Sequence, residues 1–241
     1  MSVTGSPVPT PPVEAVLLAG GLGTRLKPYT WVLPKPLVPI GEKPILLRLV
    51  ESLRREGITR LTFCVNHMAE LIRAFFGDGE AFGVEIRYSM EDRPMGTVGP
   101  LKLIRDLPEH FLVLNGDLLT DLSFPALLKA HRQGGCLLTV AAYQRTIPID
   151  FGVMHVTDQT LVGFEEKPDL HHLVSMGAYV FDRRVLNLIP PQQPFGFDEL
   201  VRRMLEEQRP VHVYRHQGYW LDVGRPQDFD QANQDVAEGR I

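Results

Sequence analysis

The residues with the means to do chemistry are concentrated in one stretch, LLAGGLGTRLKPYTWVLPKPLVPIGEKPIL, from Leu17 to Leu46. Leu18 and Ala19 lead into Gly20, Gly21 and Gly23, which let backbone N–H groups approach a ligand with no side chain in the way. Thr24 and Arg25 follow at once, and a guanidinium here can fork onto a phosphate with two parallel hydrogen bonds. Ten residues after Arg25, Lys35 sits between Pro34 and Pro36. Proline fixes its own φ and restrains the residue before it, so this lysine rides on a stiff extended segment. The pattern is that of a phosphate-binding loop. Two well-known versions do not fit: Thr24-Arg25 follows Gly23 where a Walker loop needs Gly-Lys-Ser/Thr, and Leu26 stands where a dinucleotide fingerprint needs glycine.

Two aspartates are the next candidates. Asp117 follows Asn115 and Gly116 after an apolar run, where it can hold a hard cation through oxygen or simply cap a turn. Asp222 lies between apolar residues in WLDVG, a place where an unpaired charge is costly. His171 and His172, the only adjacent pair among eight histidines, read as loop surface rather than as a metal site.

The bulk properties bound the answer. The 241 residues are 44% hydrophobic and 22% charged, enough for one large domain with a sizeable core. Net charge is −4 with no block of one sign, which argues against a nucleic-acid partner. Cys64 and Cys136, both inside apolar runs, read as buried reduced thiols in strands, in keeping with a cytoplasmic location. No stretch approaches the ~18 apolar residues of a membrane span. Met1–Pro12, rich in Ser, Thr and Pro, reads as a disordered lead-in, with one domain over residues 13–241.

These residues need elements to position them. VEAVLLAG reads as a buried strand ending in glycines, and Leu46, Leu49, Val50 and Leu53 as a helical stripe closed by Gly57. LTFCV, VEIRYSM, FLVLNGD and CLLTVAAY read as further strands, with MAELIRAFFG and SFPALLKAHRQGG as helices, the latter capped by Ser123. This order argues for α/β class: a Rossmann-like, mainly parallel mixed sheet with helices on both faces. After Arg145, the strands GVMHV, LVGFEE and MGAYVF come without long helices, which suggests a small antiparallel extension. Phe197, Leu200, Val201, Met204 and Leu205 follow the spacing of a buried helical stripe. In open sheets of this class, ligands bind at the carboxyl ends of the strands. Gly20–Arg25 and Asn115–Asp117 fall at such ends.

The Leu17–Leu46 segment resembles the signature of the sugar-1-phosphate nucleotidyltransferases, a glycine-rich GxGTRL loop followed by a proline-lysine-proline element. The resemblance covers nearly the whole chain, in order. NGDLL (Asn115–Leu119) is similar to the family's metal-binding segment, DFGVM (Asp150–Met154) and FEEKP (Phe164–Pro168) to its sugar-binding segments, and GYWLDVGRPQDF (Gly218–Phe229) to its closing motif. It implies Mg²⁺ held by Asp117 and Asp222, with Leu18–Gly21, Gly23, Thr24 and Arg25 around the nucleotide phosphates. It further implies sugar contacts from Asn115, Gly152, Glu166, Lys167, Ser175 and Gly177. Arg25 would stabilise the departing pyrophosphate, Lys35 the α-phosphate and Lys167 the incoming sugar phosphate. The expected partners are a nucleoside triphosphate and a sugar 1-phosphate; a homodimer is left open. The C-terminal β-helix of several members is expected to be missing after Ile241.

RPMGTVGPLKLIRDL (Arg93–Leu107) resembles the segment of mannose-1-phosphate guanylyltransferases. Pyrimidine-transferring relatives carry a glutamine-containing version, and no glutamine occurs between Pro12 and Arg132. Gly96, Thr97 and Gly99 are therefore expected around a guanine base. Ser175-Met176-Gly177 departs from the Asn-Ala-Gly of many mannose enzymes, so mannose, another hexose or a heptose 1-phosphate are all open. Two rival classes are weaker. A non-catalytic regulatory relative would lack Arg25, Lys35, Asp117 or Asp222. A glycosyltransferase would need an Asp-x-Asp motif, which NGDLLTD does not supply.

Overall fold

A computed structural model describes residues 13–241, so the expected lead-in Met1–Pro12 lies outside the described residues. The first apolar run forms β1 (Glu14–Leu18), buried on both faces, with Ala15 and Leu17 on one side and Val16 on the other. Two-sided burial is what a central strand of a covered sheet requires. Short strands β2 (Pro39–Ile40) and β3 (Lys43–Pro44) lead into α1 (Ile45–Arg55). The chain continues through β4 (Arg60–Val65), α2 (Ala69–Phe76), β5 (Glu85–Met90), β6 (His110–Asn115) and the short β7 (Leu118–Thr120). Helix α3 (Phe124–Gly134) opens on Ser123, whose Oγ accepts the Ala126 N–H at 3.4 Å. Then come β8 (Leu138–Pro148), β9 (Val153–Thr157), β10 (Thr160–Glu165) and the long β11 (Asp169–Asp182). Helix α4 (Phe197–Glu206), β12 (Val211–His216), β13 (Trp220–Asp222) and α5 (Pro226–Ala237) complete the chain.

The main sheet has seven strands in the order β12-β8-β11-β6-β1-β4-β5. Neighbours are parallel except β11, which runs antiparallel between β6 and β8. Leu49 and Leu53 of α1, Ile72 and Phe76 of α2 and Leu127 of α3 bury one face. Leu200 and Met204 of α4, with Leu101 from the turn Gly99–Leu103, bury the other. The expected mixed sheet with helices on both faces is present. The outer halves of β8 and β11, with the β9–β10 hairpin, form the antiparallel extension, and most of its side chains are exposed.

Several local expectations are corrected. Cys136 is partly exposed and lies before β8, its thiol donating to the Gly134 carbonyl, because the turn after α3 delays strand pairing. Leu205 is 64% exposed: α4 is covered along Leu200 and Met204, and the next position rolls outward. His171 and His172 belong to β11, opposite Thr146 and Arg145, and not to a loop, though both face solvent.

Candidate active site

The carboxyl ends of β1 and β6 lie side by side. Leu18 pairs with Asn115, and the Gly116 N–H donates to the Leu18 carbonyl at 3.0 Å, so the glycine loop and the Asn115–Asp117 turn meet. Gly23 has φ +61, and a Cβ there would stand 2.9 Å from the Cβ of Lys35. Only glycine lets the loop lie this close against the lysine segment. Leu26, Val38 and Ile40 bury with Leu119, Val223 and Ala232 in one apolar cluster. That cluster pins the loop to β7, which follows Asp117, and to the end of β13, which carries Asp222.

β13 pairs antiparallel with β7, placing Asp222 opposite Leu118, while the Val223 N–H donates to the Asp117 carbonyl at 3.4 Å. Lys35 forms an ion pair with Asp117 and stands 4.0 Å from Asp222 Oδ1. Its side chain is only 12% exposed, and Lys35–Leu37 form a turn of 3-10 helix instead of the expected extended segment. Burial of Pro36, Leu37 and Val38 draws it inward. Arg25 does stay exposed, its guanidinium about 3.6 Å from where a Gly224 Cβ would be.

Asp117 Oδ1 and Asp222 Oδ1 are both buried and have no hydrogen-bond partner among the described residues. Burial, then the charge of Asp117, pushes the Asp222 carboxyl up to about 6, with Lys35 and Arg25 pulling the other way. Orphaned buried acceptors demand a partner. Two converging carboxylates of this kind suit a hard divalent cation, so the residues fit the metal that their types suggest. A second cluster, Glu109, His110 and Asp182, lies at the opposite end of β6. There the Asp182 oxygens are already taken by Arg184 at 2.7–3.1 Å.

The residues expected around the sugar fall into two groups. The register of β11 slips between Ser175 and Tyr179. In this irregular stretch Gly177 has φ +74, and a Cβ there would stand 2.5 Å from Asn115 Nδ2. Trp220 Nε1 donates to the Met176 carbonyl at 3.0 Å, tying this stretch to β13. The Ser175 hydroxyl donates to Tyr179 Oη at 3.2 Å. Burial pushes that phenol up to about 12, and Asp117 and Asp222 add to the effect. Asn115, Ser175 and Gly177 are thus brought together with the aspartates. Gly152 and Glu166 meet each other instead on the antiparallel extension, where a Gly152 Cβ would lie 3.2 Å from Glu166 Oε2. Lys167 is exposed beside them. The strand from Asp169 to Ser175 separates this group from the aspartates by on the order of 20 Å along its length.

Beside the glycine loop a cavity of about 420 Å³ is lined by Leu18, Gly20 and Gly21 and, facing them, by Met95, Gly96 and Thr97, and reaches Asn115 and Asp117. Ala19 is buried beneath it, and Thr24 is exposed outside. The 95–99 segment is anchored on Phe195: the Phe195 N–H donates to the Met95 carbonyl at 2.9 Å, and the Val98 and Gly99 N–H groups donate to the Phe195 carbonyl at 3.1 Å. Gly96, with φ +76, is therefore needed at least in part for packing, since a Cβ there would stand 2.7 Å from the Phe195 carbonyl oxygen, while a Cβ on Gly99 would press on the Met95 Cβ at 3.2 Å. One lining residue carries no signal in the sequence: Glu91, a lone carboxylate in SMEDRP. A larger cavity of about 720 Å³, beside Arg48, Arg54 and Arg55 of α1, is lined by neither the glycine loop nor the two aspartates.

Comparisons with known proteins agree with this geometry. The chain is 33% identical over 253 residues to a UTP–glucose-1-phosphate uridylyltransferase of Synechocystis, covering 95% of this chain and 64% of the relative. It is 34% identical over 227 residues to a mannose-1-phosphate guanyltransferase of Candida albicans, covering 90% and 62%. The chain thus spans a little under two thirds of the length of these curated relatives. HddC from Yersinia pseudotuberculosis, solved in complex with GMP-PN, shares the fold with a TM-score of 0.71 at 23% identity, over 93% of this chain and 99% of its own. The family model for nucleotidyl transferases matches residues 14–239, and the chain belongs to that family.

Proposed function

We propose that this chain transfers a nucleoside monophosphate, GMP from GTP in the first place, to a hexose or heptose 1-phosphate, releasing pyrophosphate. The observation that carries the reading is the pair of orphaned oxygens on Asp117 and Asp222, beside Lys35 and at the end of a cavity walled by Gly20 and Gly21. A phosphate oxygen of the sugar phosphate forms a bond to the α-phosphorus, and the bond from that phosphorus to the β-phosphate oxygen breaks. The nucleophile is already ionised, so no general base is required. The barrier comes from bringing anions together, and catalysis is positioning and neutralisation.

Asp117 and Asp222 would hold Mg²⁺, which when bound supplies positive charge between the phosphates. Lys35 neutralises the α-phosphate and Arg25 the departing pyrophosphate; Lys167 can meet the sugar phosphate only if the antiparallel extension brings it toward the aspartates. Asn115, Ser175 and Gly177 shape the sugar side next to Asp117, and Gly152 and Glu166 approach from the antiparallel extension. A second reading is uridylyl or thymidylyl transfer to glucose 1-phosphate; the Synechocystis relative, a uridylyltransferase by name, favours the uridylyl form. Among the described residues no helix is long and apolar enough to cross a membrane, and a cytoplasmic location belongs to the proposal.

The test is a pyrophosphate-release screen crossing five nucleoside triphosphates with a panel of sugar 1-phosphates, Mg²⁺ present. Turnover of one pairing that disappears in Asp117→Asn is the expected result. Release with no pairing would overturn the reading.

A further inference from the structure

We infer that the apolar face of the β9–β10 hairpin is an interface for a second copy of this chain, and that this partner steadies the arm carrying Gly152, Glu166 and Lys167. The inference rests on the nucleotidyl-transfer reading for the role of those three residues; the interface itself stands on the hairpin alone.

β9 and β10 form a two-stranded sheet of their own, outside the seven-stranded one. Met154 pairs opposite Phe164 and Val156 opposite Leu161, so these four side chains share one face. The register shift between Leu161 and Gly163 keeps both pairs on that side and leaves Val162 as the extra residue. The other face is polar, with His155 Nε2 and Glu165 Oε1 2.9 Å apart. With Phe151, which leads into the hairpin, and Val162, the four make six large apolar residues that are 55–78% exposed. A lone two-stranded hairpin is marginal in water unless an apolar face is covered. Among the described residues nothing covers this one. The face also touches the site: the Phe164 ring fills the space that a Cβ on Gly152 would need.

Area and charge decide the occupant. At ~150–250 Å² for a whole large apolar residue, the exposed fractions of these six amount to on the order of 700 Å². That exceeds the ~300–600 Å² of the largest patch on a typical monomer. It approaches the ~800 Å² that each partner contributes to a stable protein interface. Between Asp150 and Asp169 five carboxylates stand against Lys167 alone. That balance repels anionic lipid and nucleic acid. An identical hairpin offers a matching apolar face, and two such sheets related by a twofold axis pack face to face. Glu165 then points away from the contact, and the other carboxylates fall at its solvated rim. A partner seated there holds Phe164, and through it Gly152, on the arm that must carry Lys167 toward Asp117 and Asp222.

The experiment measures mass by sedimentation equilibrium over a range of protein concentrations, in the natural protein and in Val156→Glu. The natural protein should approach twice 27.1 kDa, and rising salt should tighten the dimer by screening the rim carboxylates. Val156→Glu should weaken the dimer at least ~10-fold, since it puts an unpaired charge into an apolar contact. The same variant should raise KM for the sugar phosphate and leave KM for the nucleotide unchanged. If Val156→Glu does not fold, Leu161→Gln is read in the same way. A natural protein that stays at 27.1 kDa up to ~100 μM, beyond the micromolar affinity of the weakest interfaces of standard size, would overturn the inference. So would a dimer that both variants leave intact, or one that is broken with the sugar-phosphate KM unmoved. Failure of the function proposal looks different: no pyrophosphate release with any pairing, while the dimer forms and Val156→Glu still weakens it.

Discussion

Asp117 and Asp222 come from distant parts of the chain and are joined backbone to backbone, with the Val223 N–H donating to the Asp117 carbonyl and Asp222 paired opposite Leu118. Each carboxylate keeps one buried oxygen without a hydrogen-bond partner among the described residues. A cation between them would satisfy both. EDTA should therefore abolish pyrophosphate release, and Asp117→Asn should lower the rate at least ~100-fold, the scale of losing a main electrostatic element. Full turnover in EDTA would refute the metal assignment.

Lys35 is the counter-charge for that pair, so its loss should reach beyond catalysis. Lys35→Ala should remove activity and also destabilise the metal-free protein, by up to about 3 kcal/mol for a largely buried ion pair left with one partner. Added Mg²⁺ should recover part of the lost melting temperature. Arg25→Ala, at an exposed site, should lower activity and leave the melting temperature near that of the natural protein. Arg25→Lys should rescue poorly, since a point charge does not reproduce the guanidinium fork. Melting curves with and without Mg²⁺ separate the two residues; equal melting behaviour in both alanine variants would contradict the role given to Lys35.

Gly177 supports Asn115 from beneath. A methyl group there would meet Asn115 Nδ2 at 2.5 Å on a backbone with φ +74. Gly177→Ala should cost roughly 1–3 kcal/mol of stability and raise KM for the sugar phosphate more than KM for the nucleotide. Steady-state kinetics with each substrate varied in turn checks this. A change confined to the nucleotide KM would remove Asn115 and Gly177 from the sugar side.

At the opposite end of the sheet, buried His131 holds Thr139 Oγ1 at 2.8 Å through Nδ1 and lies 3.2 Å from His110 Nδ1 through Nε2. Burial first, then His110, lowers its pKa from 6.5 to about 4, with His212 and Arg132 acting the same way and Asp182 opposing. Between those two values the unfolded chain binds a proton that the folded protein refuses. Stability should therefore fall as pH drops from 6.5 toward 4, by on the order of 2–3 kcal/mol from this group. Thermal melts across that window should show the loss, and His131→Gln should flatten the slope. An unchanged slope would assign the acid sensitivity elsewhere.

Much of the site is legible in the amino-acid sequence. Gly20, Gly21, Gly23, Thr24, Arg25 and Lys35 stand out because their types and spacing are local properties, and Asn115–Asp117 because a buried apolar run ends there. The alternation of strand and helix signals points to the sheet, since burial on both faces leaves continuous apolar runs such as Ala15–Leu17. Cys136 and Leu205 depart from their apolar surroundings because turn length and helix roll depend on neighbours that a local window does not contain.

What the sequence determined by itself is therefore the inventory of chemistry: a glycine-rich loop, two separate carboxylates, a lysine braced by prolines and the strand ends that carry them. Only the tertiary structure decided how these groups answer one another. Antiparallel β11 enters between β6 and β8, a pairing of backbone groups that no side-chain pattern announces. The apolar cluster of Leu26, Val38, Leu119 and Val223 draws Lys35 inward onto Asp117. Glu91 becomes a cavity wall because β4, β5 and the Met95 loop converge on it. The physical reason is the same each time: a charge's environment is set by groups far away in the chain, through burial and unpaired hydrogen bonds that arise only when the elements pack.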